Sequence, residues 1–180
     1  MMEYKELNRK CPICQNEKGK VLYKINMDLL DKLPIPSEYD VVACENCGFT
    51  YADVDSTQEI YNIYYRDYNI YSENNNVKQN NEEVVADDRY TIFSKYVSKD
   101  AKIIDMGCGD GDWLVFLQRN GYKNIYGIDP SEKSVQKIRN NGIDGRTGNI
   151  FDTVPEKLME SFDVISCSMV LEHIYDVGGQ

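Results

Sequence analysis

The sequence predicts an α/β fold, a Rossmann-like doubly wound parallel sheet standing behind a small cysteine-clamped module. Three observations predict it. Two short cysteine pairs, Cys11-Pro12-Ile13-Cys14 and Cys44-Glu45-Asn46-Cys47, lie near the front of the chain. A glycine-rich run, Gly107-Cys108-Gly109-Asp110-Gly111, directly follows the apolar segment 101–105. Beyond it, strand-like and helix-like segments alternate, and successive strand–helix–strand units pair their strands in parallel with helices on both faces.

The elements follow in order. Residues 1–56 hold both cysteine pairs, with Pro34 and Pro36 between them, and only Asp28 to Leu33 has the composition of a short helical turn. From Thr57 to Tyr71, Tyr61, Tyr64, Tyr65 and Tyr68 recur at i, i+3, i+4 and i+7, one face of a helix. Ser72 to Asn81 is rich in asparagine and poor in apolar residues, the texture of a connector. Glu83 to Val97 resumes helical spacing, with Val85, Arg89, Ile92, Phe93 and Tyr96 on one side. Ala101 to Asp105 is a short strand ending in the glycine loop. Trp113, Leu114, Phe116 and Leu117 give the next helix its apolar face, and Asn120-Gly121 stops it. Ile125 to Asp129 is a second strand. Ser131 caps a helix through Val135 and Ile138 that Asn141-Gly142 ends. A weak strand at Gly145 to Thr147 and a fourth at Asp163 to Ser168 complete the series. The expected division is a cysteine module at 1–56, a helical lid and linker at 57–98, and the parallel-sheet domain at 99–180.

Composition narrows the function classes. The chain has 180 residues and a net charge of −10, with no cluster of Lys and Arg. Binding nucleic acid through its phosphates needs such a cluster, so no nucleic-acid partner is expected. No stretch reaches the roughly eighteen apolar residues of a membrane span, and the N-terminus lacks a secretion-signal pattern. A cytoplasmic protein acting on a small molecule is expected, with its oligomeric state left open. In that setting six cysteines point to metal ligands or redox groups rather than disulfides.

Four thiolates from two C-x-x-C turns match the tetrahedral demand of Zn²⁺, so Cys11, Cys14, Cys44 and Cys47 are the expected ligands of a zinc-ribbon-like module. The 29 residues between the pairs weaken this little, because loop closure costs grow slowly with length. A redox C-x-x-C would open a helix after a strand, and neither pair does. A site filled by four thiolates has no open position, so the zinc is structural.

Around the glycine loop stand Asp105, Asp110 and Asp112. A pyrophosphate there would meet three carboxylates, whereas a cofactor bearing a sulfonium and an ammonium would be attracted. Asp129 ends the second strand, where an acid accepts hydrogen bonds from ribose hydroxyls or starts the turn before Pro130.

Taken together, Ile103 to Gly111, Tyr126-Gly127-Ile128-Asp129-Pro130-Ser131, Phe162-Asp163-Val164-Ile165 and Val170-Leu171-Glu172-His173-Ile174 resemble the successive motifs of class I S-adenosylmethionine-dependent methyltransferases. With the front cysteines, the chain is similar to a subgroup that carries a zinc-binding domain before the methyltransferase fold. That subgroup includes C-methyltransferases acting on nucleotide-linked deoxysugars. The resemblance implies that Asp105, Gly107 and Gly109 approach the methionine end of S-adenosylmethionine, that Asp129 holds the ribose, and that Pro130 lies beside the adenine. Gly148-Asn149 stands where the family often has Gly-Asp, so Asn149 would meet the base, or Asp152 in its place. Ser168, with Cys167, would border the methionine moiety. His173, the chain's single histidine, follows Glu172 and is read either as the base that takes the acceptor's proton or as a structural or substrate-contact group. The tyrosine stripe is read as a lid over the pocket or as a packed helix face.

The implied activity is methyl transfer to a small biosynthetic metabolite such as a nucleotide-linked sugar. The alternative is a zinc-ribbon interaction module on a vestigial, non-catalytic nucleotide-binding fold. A nicotinamide-dependent oxidoreductase is disfavoured by the acidic loop. Family members usually continue past the fourth strand, so the methyltransferase fold is expected to be incomplete and the chain truncated at its C-terminus.

Overall fold

The computed structural model describes residues 4–27, 33–68, 88–152, 161–175 and 177–178. The expected connector at 72–81, Val85 and nearly all of the expected turn at 28–33 lie outside the described residues. Two compact units emerge: residues 1–68 together with 171–180, and residues 69–170.

In the first unit, β1 (Lys5–Glu6), β2 (Lys18–Asn26), β3 (Glu38–Cys44) and β4 (Thr50–Asp53) form an antiparallel meander in chain order. β2 pairs with β3 from Gly19↔Cys44 to Asn26↔Glu38, with a bulge between Val21 and Tyr23. The apolar centre is small: Cys11, Val42, Cys44 and Tyr51 are buried, with Leu7 and Cys14 packed against them. A core of that size supplies little burial energy, the situation in which small domains lean on a metal or a disulfide. Buried Asp53 accepts the backbone N–H of Asn8 (2.8 Å) and of Arg9 (3.1 Å) and pairs with Lys5 (3.2 Å). That network fixes the chain entering the first cysteine turn.

Helix α1 (Gln58–Asp67) carries the tyrosine stripe. Tyr64 is buried, Tyr61 and Tyr65 are half-buried, and Tyr68 is exposed at the C-cap, so the centre of the stripe is a packed face within this unit. The segment 171–175 belongs here too: Gln58 Oε1 accepts the Tyr175 N–H at 2.7 Å, and the Arg9 guanidinium lies 3.7 Å over the Tyr175 ring.

The second unit comprises α2 (Asp88–Tyr96), β5 (Lys102–Met106), α3 (Asp112–Arg119), β6 (Asn124–Asp129), α4 (Glu132–Asn140), β7 (Asp144–Thr147) and β8 (Val164–Ser166). All four strands are parallel, in the order β7-β6-β5-β8. The chain therefore steps outward from β5 to β7 and then crosses back to β5's other side. Ile103, Trp113, Leu114, Leu117, Tyr122, Ile125, Ile138 and Ile143 form the core, against which Tyr90, Phe93 and Val97 pack.

Ile138 of α4 is fully buried over glycines in two adjacent strands. A Cβ on Gly127 would stand 2.6 Å from Ile138 Cδ1, and one on Gly145 2.5 Å from the same atom. Lacking side chains there, β6 and β7 let α4 lie close against the sheet. Ser131 caps α4 as expected, its hydroxyl accepting the Ser134 N–H at 3.3 Å.

The face expected for α2 needs correction. Ile92 and Tyr96 are 59% and 84% exposed, while Tyr90, Phe93 and Val97 turn inward. The i, i+3, i+7 stripe of 90, 93 and 97 wins because its rings find partners. Phe93 meets Trp113 edge-on at 5.4 Å and Tyr90 meets Phe116 edge-on at 5.0 Å. Among the described residues, no helix is long and apolar enough to cross a membrane.

Candidate functional site

Two sites are built, one in each unit. In the first, Cys11 and Cys14 stand in the turn before β2, Cys44 ends β3, and Cys47 lies in the turn before β4. The pairing Gly19↔Cys44 brings the two turns together. All four Sγ atoms lie within 4.8 Å of one another, with Cys11–Cys47 at 3.6 Å and Cys14–Cys44 at 3.5 Å. These are not disulfide distances, which are about 2.05 Å. A tetrahedral ion with bonds of about 2.3 Å would space its sulfurs by about 3.8 Å, so the arrangement fits zinc with small adjustment.

The thiols also compete for charge. Cys14 falls to about 6, chiefly because the Asn46 side chain hydrogen-bonds its sulfur. The Phe49 N–H favours the Cys47 thiolate, but desolvation and the neighbouring sulfurs outweigh it and push Cys47 up to about 12. Four crowded sulfurs cannot all ionise without a cation among them.

The second site sits at the carboxyl ends of β5 and β6. In an open parallel sheet, ligands bind where the strand order reverses, here between β5 and β8. Asp105, next to last in β5, is opposite Gly127 on one side and Ser166 on the other. It is buried, and desolvation raises its carboxyl to about 6. The Ser166 side chain and the charge of Arg89 oppose that rise, and the charge of Asp129 adds to it.

The loop after β5 is held from below. Gly107 N–H (2.7 Å) and Cys108 N–H (3.0 Å) both donate to the Ile128 carbonyl. Asp129, buried at the end of β6, accepts Gly109 N–H on Oδ2 at 2.8 Å and Ser131 N–H on Oδ1 at 2.9 Å. Burial raises its pKa, and those two N–H groups oppose the rise.

All three loop glycines have positive φ, at 72°, 53° and 85°. Their roles differ. A side chain on Gly107 would collide with Val170, and one on Gly111 with Ile138, so both are demanded by packing. At Gly109 nothing stands within 4 Å of where a Cβ would be. Gly109 alone presents open backbone to a ligand, with Asp105 and Asp129 among the loop's neighbours.

The acidic crowding expected of the loop is smaller than the sequence suggests. Asp110 turns to α4, where it accepts from Ser134 Oγ at 3.0 Å and forms an ion pair with Lys137. Asp112 is exposed at the start of α3. The carboxylates at the strand ends are thus Asp105 and Asp129. Pro130 follows Asp129 directly. Asn149 sits past β7, its N–H bonded to Asp152 Oδ2 at 2.7 Å and its side-chain oxygen accepting Phe151 N–H at 2.8 Å. Asp152 is therefore committed to Asn149, while the Asn149 amide nitrogen is not used in either bond.

Arg89, expected only on a face of α2, reaches the site: its Nη1 donates to Ser168 Oγ at 3.3 Å, its guanidinium lies 4.0 Å over the Trp113 ring, and its charge reaches Asp105. The signal was present as an arginine among apolar positions of α2. Beside it, the buried Trp113 Nε1 has no hydrogen-bond partner among the described residues. Glu172 and His173 form a 3₁₀ turn, Leu171–His173, in the first unit, with the His173 ring 5.1 Å from that of Tyr65. They do not share a unit with the glycine loop.

Residues 77–179, more than half the chain, match the family described as methyltransferase domain. The chain belongs to this family, whose class I members depend on S-adenosylmethionine. The methyltransferase domain is similar to a ubiquinone biosynthesis O-methyltransferase of Hahella chejuensis, 30% identical over 80 residues, 42% of this chain and 33% of the relative. It is also similar to a protein arginine N-methyltransferase 1 of Schizosaccharomyces pombe, 33% identical over 75 residues, 36% of this chain and 22% of the relative. Among solved structures it resembles magnesium protoporphyrin IX methyltransferase from Synechocystis PCC 6803 with bound S-adenosylmethionine. There the identity is 16% and the TM-score 0.45, covering 64% of this chain and 63% of that one. The chain spans about a third of the length of the first of these relatives. Their acceptors differ in kind, so family membership leaves the acceptor of this methyltransferase domain open.

Proposed function

We propose that the protein transfers the methyl group of S-adenosylmethionine to a small biosynthetic metabolite such as a nucleotide-linked sugar. One observation carries the reading. Two buried carboxylates, Asp105 and Asp129, flank a glycine loop whose central residue faces open space at the reversal point of the sheet.

In this reading Asp105 and the Gly107 and Gly109 backbone receive the methionine end, where Asp105 attracts the ammonium group. Arg89 and Ser168 take the carboxylate. Asp129 keeps its backbone bonds and uses remaining lone pairs for ribose hydroxyls, since each carboxylate oxygen accepts more than one bond. Pro130 and the free edge of the Asn149 amide meet the adenine. When bound, the cofactor supplies a carbon already activated by its sulfonium, which leaves the protein to align an acceptor, a service worth up to about 7–11 kcal/mol in the best cases. His173 removes the acceptor's proton and Glu172 stands beside it. The half-buried setting of His173 against Tyr65 supports a positioned ring.

The same proposal assigns structural zinc to Cys11, Cys14, Cys44 and Cys47, supported by the sulfur spacing. It sets the protein in the reducing cytoplasm, where thiols stay available to metal.

Calorimetric titration with S-adenosylhomocysteine tests the core of the reading, and one site per chain is expected. A folded sample that gives no binding would favour instead an interaction module on a non-catalytic nucleotide fold. His173→Asn is expected to lower kcat while leaving the affinity for S-adenosylhomocysteine unchanged.

A further inference from the structure

The turn that carries Glu172 and His173 is short. Its backbone is closed by the Ile174 N–H, which donates to the Leu171 carbonyl at 3.1 Å. A single 3₁₀ turn has poor hydrogen-bond geometry and little stability of its own. The direction of the His173 ring therefore depends on what grips the segment, and side chains from two stretches of the first unit do so.

Tyr175, two residues beyond His173, is held by its N–H, its carbonyl and its ring. The N–H donates to Gln58 Oε1 at 2.7 Å, and the carbonyl accepts from Arg9 Nη2. The centre of the ring lies 3.7 Å beneath the Arg9 guanidinium. His173 is met directly by Tyr65, at 5.1 Å between ring centres, and Tyr65 in turn stands edge-on to buried Tyr64 at 5.0 Å.

We propose that Arg9 and Gln58 are positioning residues that hold Tyr175 and thereby fix the His173 ring against Tyr65. The role rests on the reading of His173 as the group that takes the acceptor's proton.

Both holders are themselves fixed. The Arg9 N–H donates to buried Asp53 Oδ1 at 3.1 Å, and the same carboxylate takes the Asn8 N–H and the Lys5 ammonium. A planar guanidinium can stack on a ring and still direct an N–H within its plane, which an ammonium cannot do. Gln58 opens α1, and its Nε2 donates to Asn62 Oδ1 at 3.1 Å, one turn further on. That bond orients the amide, so its oxygen is presented to Tyr175. Arg9 also stands two residues before Cys11, so the strand entering the first cysteine turn bears part of the grip on the His173 turn. A misplacement of about 1 Å can cost on the order of 100-fold in rate, which is why a base needs such holders.

His173 is the chain's single histidine, so its ring signals are identified without ambiguity in a ¹H–¹³C NMR spectrum. The full chain is compared with Arg9→Met, Gln58→Ala and Gln58→Glu at one pH. Tyr65→Leu supplies the signals of a His173 ring without that neighbour. In the unsubstituted protein the ring protons of His173 and Tyr65 should show a cross-relaxation peak. Arg9→Met and Gln58→Ala are expected to lose this peak and to move the His173 signals toward their positions in Tyr65→Leu. Gln58→Glu keeps an acceptor oxygen for the Tyr175 N–H but has no donor for Asn62, so it should keep the peak. Affinity for S-adenosylhomocysteine should be unchanged in all three, because its proposed contacts lie in the second unit.

An intact peak with unmoved signals in Gln58→Ala would overturn the proposal. Loss of the peak in Gln58→Glu would overturn it too, since the effect would then run through Asn62 and the helix. The two Gln58 variants carry the test even where Arg9→Met does not fold. Absence of S-adenosylhomocysteine binding by the unsubstituted protein would sink the methyl-transfer reading instead, and the NMR comparison would still decide what holds His173.

Discussion

Gly109 and Asp129 are joined by a 2.8 Å hydrogen bond from the Gly109 N–H to Asp129 Oδ2. The acid at the end of β6 thereby holds the glycine loop of β5 in its open form, while its second oxygen holds the Ser131 N–H that begins α4. One buried carboxylate thus organises the loop, the helix start and the proposed ribose contact. Asp129→Asn should show this economy. An amide offers one acceptor oxygen where two donors converge, so one buried N–H loses its partner. The expected cost is about 1–3 kcal/mol of stability, read by urea unfolding. Affinity for S-adenosylhomocysteine should fall as well. Unchanged stability would mean that the loop is held by the Ile128 carbonyl alone.

Asp105 gives a pH dependence. Its carboxyl titrates near 6 because desolvation disfavours the charged form. The ammonium group of the ligand needs the carboxylate, and binding it lowers the pKa, so binding releases a proton below the folded value. Affinity for S-adenosylhomocysteine should be flat above about pH 7 and weaken below pH 6, approaching tenfold per unit. In the empty protein the sign for stability is the reverse. A raised carboxyl favours the folded state when protonated, so Asp105's contribution is lost as pH climbs from the ordinary carboxylate value through 6. Asp105→Asn should flatten the affinity profile. Calorimetry across pH 5 to 8 is the measurement, and a profile that stays steep in this variant would assign the titration to another group.

Much of the parallel sheet was legible because each element announced its ends. Ser131 before α4, Asn141-Gly142 after it, and the glycines behind β5 are local signals that tertiary contacts reinforced. The meander at the front was harder to read. β2 is mostly exposed, with Val21, Leu22 and Tyr23 all turned at least partly to solvent around the bulge, so no period-2 alternation marks it. The cysteine ligand set was nevertheless visible, because spacing alone encodes it. Asp110 misled for the opposite reason: its charge was plain in the sequence, but its partner Lys137 lies 27 residues away on α4. The role of Arg89 has no local signal beyond its place among apolar positions, because its partners, Trp113 and Ser168, come together only once the sheet has formed.

The seating of Ile138 predicts a steric effect. Gly127→Ala would set a Cβ 2.6 Å from Ile138 Cδ1 and 2.8 Å from Cys108 Sγ, with backbone φ offering no excuse for strain. Overpacking of this kind costs about 1–3 kcal/mol. Ile138→Val, which removes the colliding methyl, should restore part of that loss in the double variant. Additive destabilisation of the two changes in thermal unfolding would mean that the helix and strand do not meet at this contact.

Metal removal should act on the first unit. Its buried centre is four residues, two of them cysteines, so the proposed ion supplies much of its order. Treatment with a strong chelator, or Cys44→Ser, is expected to raise protease sensitivity in residues 1–68. The second unit has its own larger core and should keep its S-adenosylhomocysteine affinity. Cleavage sites mapped by mass spectrometry would decide the matter, and equal loss of protection in both units would contradict separate stabilisation.

Arg89 provides the sharpest test of how the cofactor's amino-acid end is recognised. Its guanidinium is braced on the Trp113 ring at 4.0 Å and donates to Ser168 Oγ at 3.3 Å, and the planar fork of an arginine suits a carboxylate. Charge-assisted hydrogen bonds contribute about 1.5–3 kcal/mol, so Arg89→Met should weaken S-adenosylhomocysteine about 10–100-fold. Adenosine, which lacks the amino-acid moiety, should bind both proteins alike. Equal weakening of the two ligands would mean that the substitution had disturbed the loop through Trp113, and the carboxylate role would fall. Arg89→Lys separates charge from geometry. An ammonium keeps the attraction but not the planar fork or its stacking on the indole, so only part of the lost affinity should return.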